Sequence, residues 1–554
     1  MEFTHKTVLS PELRARVLAD PSIGGGNLLP AMLELNPYPD EPFIHSLTPI
    51  PYTDGETKHW FSLRDLDHLV QSWSVWYLGQ GVRPHDRVAV FPPDSIQYFL
   101  HLSALARIGA ISMLINSNAK RDSAVALIER SGAIGLYTDS ERLDRIAPDL
   151  DRLNLKWVHT RQDGPPSAVL PDADRFRHHP DDPVGLMHSS GTTGLPKPVI
   201  HTHKTILDGP KWRAVNYKEE PDALILNALP QSHQGCVSFN AYAVLGGQPM
   251  VVHRDVSGAE LAEAVEAHRP TMVMAFGHAY PELAAIETPR GALDSVNIWV
   301  SMADAIHERH LKNILGRRSP ERPPAAFLDR LGTTELGWGV LMQPRTLATE
   351  RNDRCVGKPV GFAEVAIVRE NGTLAEPYEY GFLGAKPPSM TVGYWGNQDT
   401  YYRSKLAGYW LTGDVAYRDE EGNFYQVDRA VDVVHTASGP GYSVLMEELV
   451  INEVSGVEDC TVVAGDHRGE KVAVAVVTGR DVDAEKVLFA ANEALRANGK
   501  PELSVVEVAG GEDDFPLGVT GKSLKRFLRD KYKDLAVYVR DRRGKSLATS
   551  DALA

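Results

Sequence analysis

His188-Ser189-Ser190-Gly191-Thr192-Thr193-Gly194-Leu195-Pro196-Lys197 follows the apolar run Val184-Gly185-Leu186-Met187. An apolar run that opens into small, hydroxylated residues reads as a strand ending in a loop. Glycines let backbone N–H groups approach an anion closely, the Ser and Thr hydroxyls add donors, and Lys197 adds a point charge. Such a loop suits a polyphosphate. Its spacing is not that of the Walker loop, GxxxxGK[ST], so a P-loop ATPase is not implied. Taken alone, the stretch also matches an ordinary surface turn of Gly, Ser and Thr.

Working outward, residues 60–140 alternate helical and strand-like periodicities: LRDLDHLVQSWSVWYLGQG, DRVAVFPP, SIQYFLHLSALARIG and AISMLIN. That is the pattern of βαβ units, which place helices over a parallel sheet. It resumes through DALILNALP, AYAVLGGQPMVV, the helical AELAEAVEAH and the strands TMVMAF and VNIWVS. From about residue 355 the grammar changes to short β runs joined by Asn-Gly and Glu-Gly turns, which predicts an antiparallel, barrel-like subdomain. A smaller segment follows, with helices over SVLMEELVINEV and AEKVLFAANEALRA, strands over CTVVAGDH and KVAVAVVTG, and a basic helix near KSLKRFLRDKY. The expected architecture is α/β: a large N-terminal domain, residues 1–430, carrying the barrel-like subdomain, and a small α+β domain, residues 431–554.

The 554 residues guarantee a sizeable core. With 43% hydrophobic and 24% charged residues the chain is neither fibrous nor wholly disordered. A net charge of −15 disfavours nucleic acid or an anionic membrane as a non-specific partner. Three cysteines, 236, 355 and 460, lie too far apart for a CxxC pair, so no disulfide framework or cysteine zinc site is expected and a reducing cytoplasm is the default. No apolar run of about eighteen residues is present, so no membrane span is expected.

SSGTTGLPKP resembles the phosphate-binding signature of the adenylate-forming superfamily: acyl-CoA synthetases, adenylation domains and firefly-type luciferases. Four further signatures follow in order: Leu331-Gly332-Thr333-Thr334-Glu335 resembles YGTTE, Leu411-Thr412-Gly413-Asp414 the TGD motif, Asp428-Arg429 the hinge motif, and Val519-Thr520-Gly521-Lys522 the SGK motif. Weaker similarity extends from about residue 60 to 530.

The resemblance implies ATP- and Mg²⁺-dependent attack of an acid oxygen on the α-phosphate, with loss of pyrophosphate. By that resemblance Ser190, Gly191, Thr192, Thr193, Gly194 and Lys197 cradle phosphates, and Gly332, Thr333 and Thr334 border the nucleotide. Glu335 holds Mg²⁺, Asp414 takes the ribose hydroxyls, and Arg429 reaches ribose or phosphate. Lys522, on a small domain that moves, stabilises charge at the α-phosphate. His233, in Pro230-Gln231-Ser232-His233, matches a histidine beside the acyl pocket, which Leu331 and Asp304 also border. Read without the family, each of these is also an ordinary turn, surface or packed residue.

Departures from the family pattern bear on the second half-reaction. Leu331 replaces the aromatic that stacks on adenine, Pro198 stands where glycine is usual, and Val431 occupies the hinge position. Ser438 to Pro440 are inserted, and Met446 replaces proline, in the loop that forms the pantetheine tunnel of CoA ligases. The run Gln234 to Ser238 offers no acid for an amino-acid ammonium group. From Lys522 to Lys545 there are ten Lys or Arg against three Asp, either a solvated helix face or an attractor for CoA phosphates. The leading expectation is adenylation of a small or medium carboxylic acid, then transfer to a thiol, with CoA as co-substrate. The alternatives are a carrier-protein thiol, an amine acceptor, or a non-carboxylate oxyacid with no CoA involved.

Overall fold

A computed structural model describes residues 3–160, 163–189, 195–302, 306, 308–350, 354–479, 482–511, 514–516, 525–542 and 547–550. The chain divides into two compact units. The first comprises Met1–Asn352, Val356–Val365 and Ala385–Trp410, the second Asp353–Cys355, Ala366–Gly384 and Leu411–Ala554.

The first unit holds two sheets. One runs, in spatial order, through Trp157–His159, Gly135–Thr138, Arg87–Phe91, Ile111–Leu114, Pro183–His188 and Pro198–Thr202. Its neighbours pair in parallel except the last two strands, which form an antiparallel hairpin with His188 opposite Pro198. The other sheet sets Ile44–Pro51, Met250–Val252, Ile225–Ala228, Met272–Phe276, Ile298–Met302 and Ala326–Leu331 side by side in parallel. Leu341–Arg345 then pairs antiparallel with Ala326–Leu331.

One apolar core fills the space between these sheets, where helices Leu63–Gly79, Gln97–Arg107 and Gln234–Gly246 lie. Every residue of Gln97–Arg107 is buried, including its polar Gln97, His101, Ser103 and Arg107. Further helices pack on the outer faces, Gly258–His268 on one sheet and Arg121–Ser131 on the other. The helix Leu63–Gly79 starts at a reciprocal cap between Ser62 and Asp65, an arrangement worth about 1 kcal/mol.

The run AYAVLGGQPMVV divides between two elements: AYAVLG belongs to the helix Gln234–Gly246, and Met250–Val252 is strand. An apolar run buried all round carries no periodicity that separates helix from strand. Here His233 settles the matter by capping the helix, its Nδ1 accepting from the Gly235 N–H at 3.2 Å.

In the second unit, residues 414–418 pair antiparallel with Phe424–Arg429, placing Asp414 opposite Arg429. The inserted Ser438–Pro440 is an ordered return: Val434–Thr436 and Gly439–Gly441 form a two-stranded hairpin, with Thr436 opposite Gly439. A four-stranded sheet follows, ordered Val457–His467, Glu470–Gly479, Leu503–Val508 and Leu547–Thr549. Its second strand divides its side chains by the two-residue period. Ala473, Ala475 and Val477 meet the helices Ser443–Glu453 and Ala484–Ala497, while Val474 and Val476 meet Leu528, Tyr532 and Leu535 on the other face.

Candidate active site

The hairpin of Pro183–His188 and Pro198–Thr202 brings the two ends of the glycine-rich loop together. The Ser189 N–H donates to the Lys197 carbonyl and the Lys197 N–H to Ser189 Oγ, both at 3.1 Å. Arg130 donates to the Pro196 carbonyl at 2.8 Å and steadies the far side of the neck. Ser190, Gly191, Thr192, Thr193 and Gly194 lie outside the described residues.

The 331–335 motif sits beside this neck. Leu331 ends the strand Ala326–Leu331 opposite Leu341, and a tight 3₁₀ turn over Thr334–Leu336 follows. A side chain on Gly332 would come within 3.0 Å of the Gly339 backbone, so the close approach of these two segments requires glycine. The Thr334 hydroxyl donates to the His188 carbonyl at 3.4 Å, and the His201 ring donates from Nε2 to the Thr334 carbonyl at 3.1 Å. Burial holds the His201 ring neutral, its pKa pushed down to about 4.

Glu335 is 8% exposed and is braced by a segment with no local signature in the sequence. The Thr391 N–H donates to the Glu335 carbonyl at 2.7 Å, and the Tyr394 phenol donates to Glu335 Oε1 at 2.8 Å. The Lys197 ammonium lies 5.5 Å from the Tyr394 ring centre. Thus Lys197, Glu335 and Tyr394, from three separate stretches, share one place. Thr333 Oγ1 is buried without a partner among the described residues, an orphaned donor of the kind a nucleotide satisfies. A single carboxylate, completed by phosphate and water oxygens, matches the manner in which Mg²⁺ is held.

His233 caps helix Gln234–Gly246, and its ring meets Phe276 edge-on at 5.1 Å. Burial, reinforced by the neighbouring His188, pushes its pKa down to about 4. Because Nδ1 accepts from Gly235, the neutral ring carries its proton on Nε2. Gly235 packs so tightly against Met302 that a methyl group there would come within 2.7 Å of Sδ. Asp304 lies outside the described residues.

In the second unit Asp414 is 3% exposed and heavily bonded. Oδ1 accepts from Arg429 at 3.0 Å and Gln426 at 2.9 Å, and Oδ2 from the Thr412 hydroxyl at 2.7 Å. Gly413 between them has φ +84°, and a side chain there would meet Arg429 Nη2 at 3.2 Å. Lys522 lies outside the described residues.

Three lysines and arginines just beyond it are committed to ion pairs: Lys525 with Glu447 at 2.8 Å, Arg529 with Asp432, and Lys531 with Glu507 and Asp514 at 3.2 Å each. These three charges are therefore structural. Lys525 also donates to the Ser443 hydroxyl at 2.6 Å, and that hydroxyl to Asp428 Oδ1 at 3.1 Å. Nothing in the sequence distinguished Glu447 from its neighbour Glu448, which instead pairs with Arg354 at 2.9 Å.

Layered sheets, a glycine-rich neck beside a braced glutamate, and a capped pocket helix define an adenylate-forming enzyme. The chain belongs to the AMP-binding enzyme family, whose model matches residues 34–395. It is 34% identical to a 3-aminoavenalumate diazotase from Streptomyces sp, over 95% of this chain and 99% of that one. It is 26% identical to a 3-amino-2-hydroxy-4-methoxybenzoate diazotase from Streptomyces cremeus, over 73% of this chain and 79% of the other. In fold it is similar to an O-succinylbenzoate coenzyme A synthetase from Bacillus subtilis, solved in complex with ATP and magnesium ion. The TM-score is 0.73 and the identity 22%, over 91% of this chain and 99% of that one. No helix among the described residues is long and apolar enough to cross a membrane.

Proposed function

We propose that this enzyme adenylates nitrite and passes the nitrosyl group to an arylamine, forming a diazonium ion. The observation that carries this reading is the end-to-end likeness to a diazotase, which takes in both compact units. The tight hairpin of Val434–Thr436 with Gly439–Gly441, in the stretch where the family resemblance puts the pantetheine loop, supports a route without CoA.

The chemistry balances without a further oxidant or reductant. A nitrite oxygen attacks the α-phosphorus, pyrophosphate leaves, and the anhydride O=N–O–AMP forms. The amine nitrogen attacks the nitrosyl nitrogen, AMP departs with the electron pair of the broken N–O bond, and the amine loses a proton. The resulting N-nitrosamine takes up a proton and loses water to give the diazonium ion. ATP thus removes one oxygen of nitrite as AMP.

The residues divide this work by charge. Ser190, Gly191, Thr192, Thr193, Gly194 and Lys197 hold the departing phosphates, with Gly332, Thr333 and Thr334 along the nucleotide. Glu335 holds Mg²⁺, and the cation, when bound, neutralises phosphate oxygens. Asp414 accepts from the ribose hydroxyls while Arg429 orients it, and Lys522 stabilises the pentacoordinate α-phosphate. His233 offers an Nε2–H donor to the bound acid or amine, and Leu331 lines the pocket.

The match of His233 to the histidine of acyl-CoA synthetases supports the CoA reading. Incubating the enzyme with ATP, Mg²⁺ and an amino-aryl acid, with nitrite or with CoA, separates the two. An azo dye on addition of a coupling arene, formed only with ATP and nitrite, is the expected result. An acyl-CoA product would place the enzyme with the thiol ligases.

A further inference from the structure

His188 closes the strand Pro183–His188, one residue before the neck of the glycine-rich loop. Its ring joins two segments. Nε2 accepts from the Asn116 N–H at 3.2 Å, so in the neutral ring the proton sits on Nδ1, which donates to the Ser189 carbonyl at 3.1 Å. Desolvation lowers the pKa of this imidazole, against the opposing pull of the Ser189 carbonyl. Only a neutral ring can donate from one nitrogen and accept at the other. The tautomer is the reverse of that in His233, whose Nδ1 is the acceptor.

One end of this bridge is held by bonds of its own. Asn116 opens a tight turn after the strand Ile111–Leu114: its side chain accepts from the Asn118 N–H and its carbonyl from the Ala119 N–H, both at 2.8 Å. Two arginines brace that turn. Arg142 Nε donates to the Ser117 carbonyl at 3.2 Å, and Arg145 to the carbonyls of Ser117 and Ala119 at 2.9 Å each. At the other end, Ser189 exchanges hydrogen bonds with Lys197 across the neck. The His188 main chain adds a third tie. Pro198, opposite it in the hairpin, has no N–H to offer, and the His188 carbonyl accepts from the Thr334 hydroxyl at 3.4 Å. One residue thus touches the braced turn, the stem from which Lys197 projects and the motif that carries Glu335.

We propose that His188 is a positioning residue for the nucleotide: through Ser189 it sets the stem from which Lys197 reaches the phosphates, and through its carbonyl it sets Thr334. The inference rests on the proposed role of Lys197 at the departing phosphates and holds whichever acid is activated. The ring does more than fill space. An apolar ring of the same size would leave the Asn116 N–H without its acceptor and the Ser189 carbonyl without its donor. The stem would then lose its tie to the turn at Asn116, and the Lys197 ammonium its fixed place beside Tyr394.

The test is equilibrium binding of MgATP and of AMP to the full-length enzyme and to its His188→Phe, His188→Gln and Lys197→Ala variants. AMP lacks the two phosphates assigned to Lys197, so the ratio of ATP to AMP affinity within each protein isolates the stem from general damage. His188→Phe should lower that ratio about 5- to 150-fold, at about 2- to 13-fold for each of the two neutral hydrogen bonds removed. His188→Gln, whose amide oxygen can accept from Asn116, should recover part of the loss. A ratio that falls in Lys197→Ala but is unchanged in His188→Phe would overturn the proposal alone. A ratio unchanged in Lys197→Ala would defeat the role of Lys197, and the proposal with it. If His188→Phe does not fold, the ¹⁵N spectrum of the wild-type histidines decides: the resonances that vanish in His188→Gln should report a protonated Nδ1 and a bare Nε2, and the opposite tautomer would overturn the proposal.

Discussion

Tyr394 donates its phenolic proton to Oε1 of Glu335 across 2.8 Å, joining residues 59 positions apart in a buried pair. The bond occupies one carboxylate oxygen and fixes the direction of the other. Tyr394→Phe should therefore weaken the response to Mg²⁺ without abolishing it, with kcat/KM for MgATP falling about 10- to 150-fold, the worth of one hydrogen bond to a charged acceptor. Glu335→Gln should cost at least about 100-fold, because it removes the charge itself. Magnesium titrations of initial rate check both, and a Tyr394→Phe enzyme with unchanged dependence on Mg²⁺ would dismiss the bracing role.

Lys522 is assigned to the transition state, so Lys522→Ala should lower adenylation about 100- to 1,000-fold while ATP binding stays within a few-fold. Pyrophosphate exchange and equilibrium nucleotide binding, measured on the same preparation, separate the two effects. Equal exchange rates in mutant and wild type would refute the assignment.

Gly413 occupies the left-handed region at φ +84°, beside the Arg429 guanidinium. Gly413→Ala should lower stability by about 1–2 kcal/mol and raise KM for ATP by displacing Arg429 from Asp414. Thermal unfolding and ATP saturation curves give the result, and an unaltered KM would show that the pair does not serve the nucleotide.

Burial raises the Glu447 carboxyl to about 7, against the opposing pull of Lys525, whose own pKa is raised as Glu447, Asp428 and Asp432 outweigh its burial. A carboxyl whose folded pKa exceeds its unfolded value stabilises the fold most in acid. That contribution is complete below the unfolded pKa, near 4.5, and is lost as pH rises through about 7. Lys525→Met leaves the carboxyl alone, so it should destabilise more at pH 8, where Glu447 must ionise unpaired, than at pH 5.5. Replacing both partners by Met should recover most of the loss. Denaturant unfolding at the two pH values tests this, and a penalty independent of pH would remove Glu447 from the account.

His233 is neutral down to a pKa of about 4, and should therefore contribute no limb to the pH–rate profile between pH 5.5 and 8. Its imidazole resonances should not titrate in that range. A limb near pH 6.5 that disappears in His233→Gln would contradict the assignment.

The βαβ grammar of the first unit was legible because each strand and helix carries its own period and its own Gly, Pro or polar stops. The run AYAVLG has no such period, and its helix is set by a histidine cap and by burial on all sides. Glu335, Asp414 and His233 were legible through local motifs. Tyr394, which fixes Glu335, was not. Its meaning depends on a partner brought close by the fold, Glu335. Likewise Ser438–Pro440 reads as an insertion of unknown form, and only pairing of Thr436 with Gly439 shows it to be a tight hairpin.

The most direct test of the central claim is ATP–pyrophosphate exchange with nitrite as the sole acid, compared with amino-aryl, aryl and aliphatic acids in the presence and absence of CoA. The account predicts exchange driven by nitrite alone, none driven by the carboxylic acids, and no effect of CoA. Exchange driven by a carboxylic acid and silent with nitrite would contradict it.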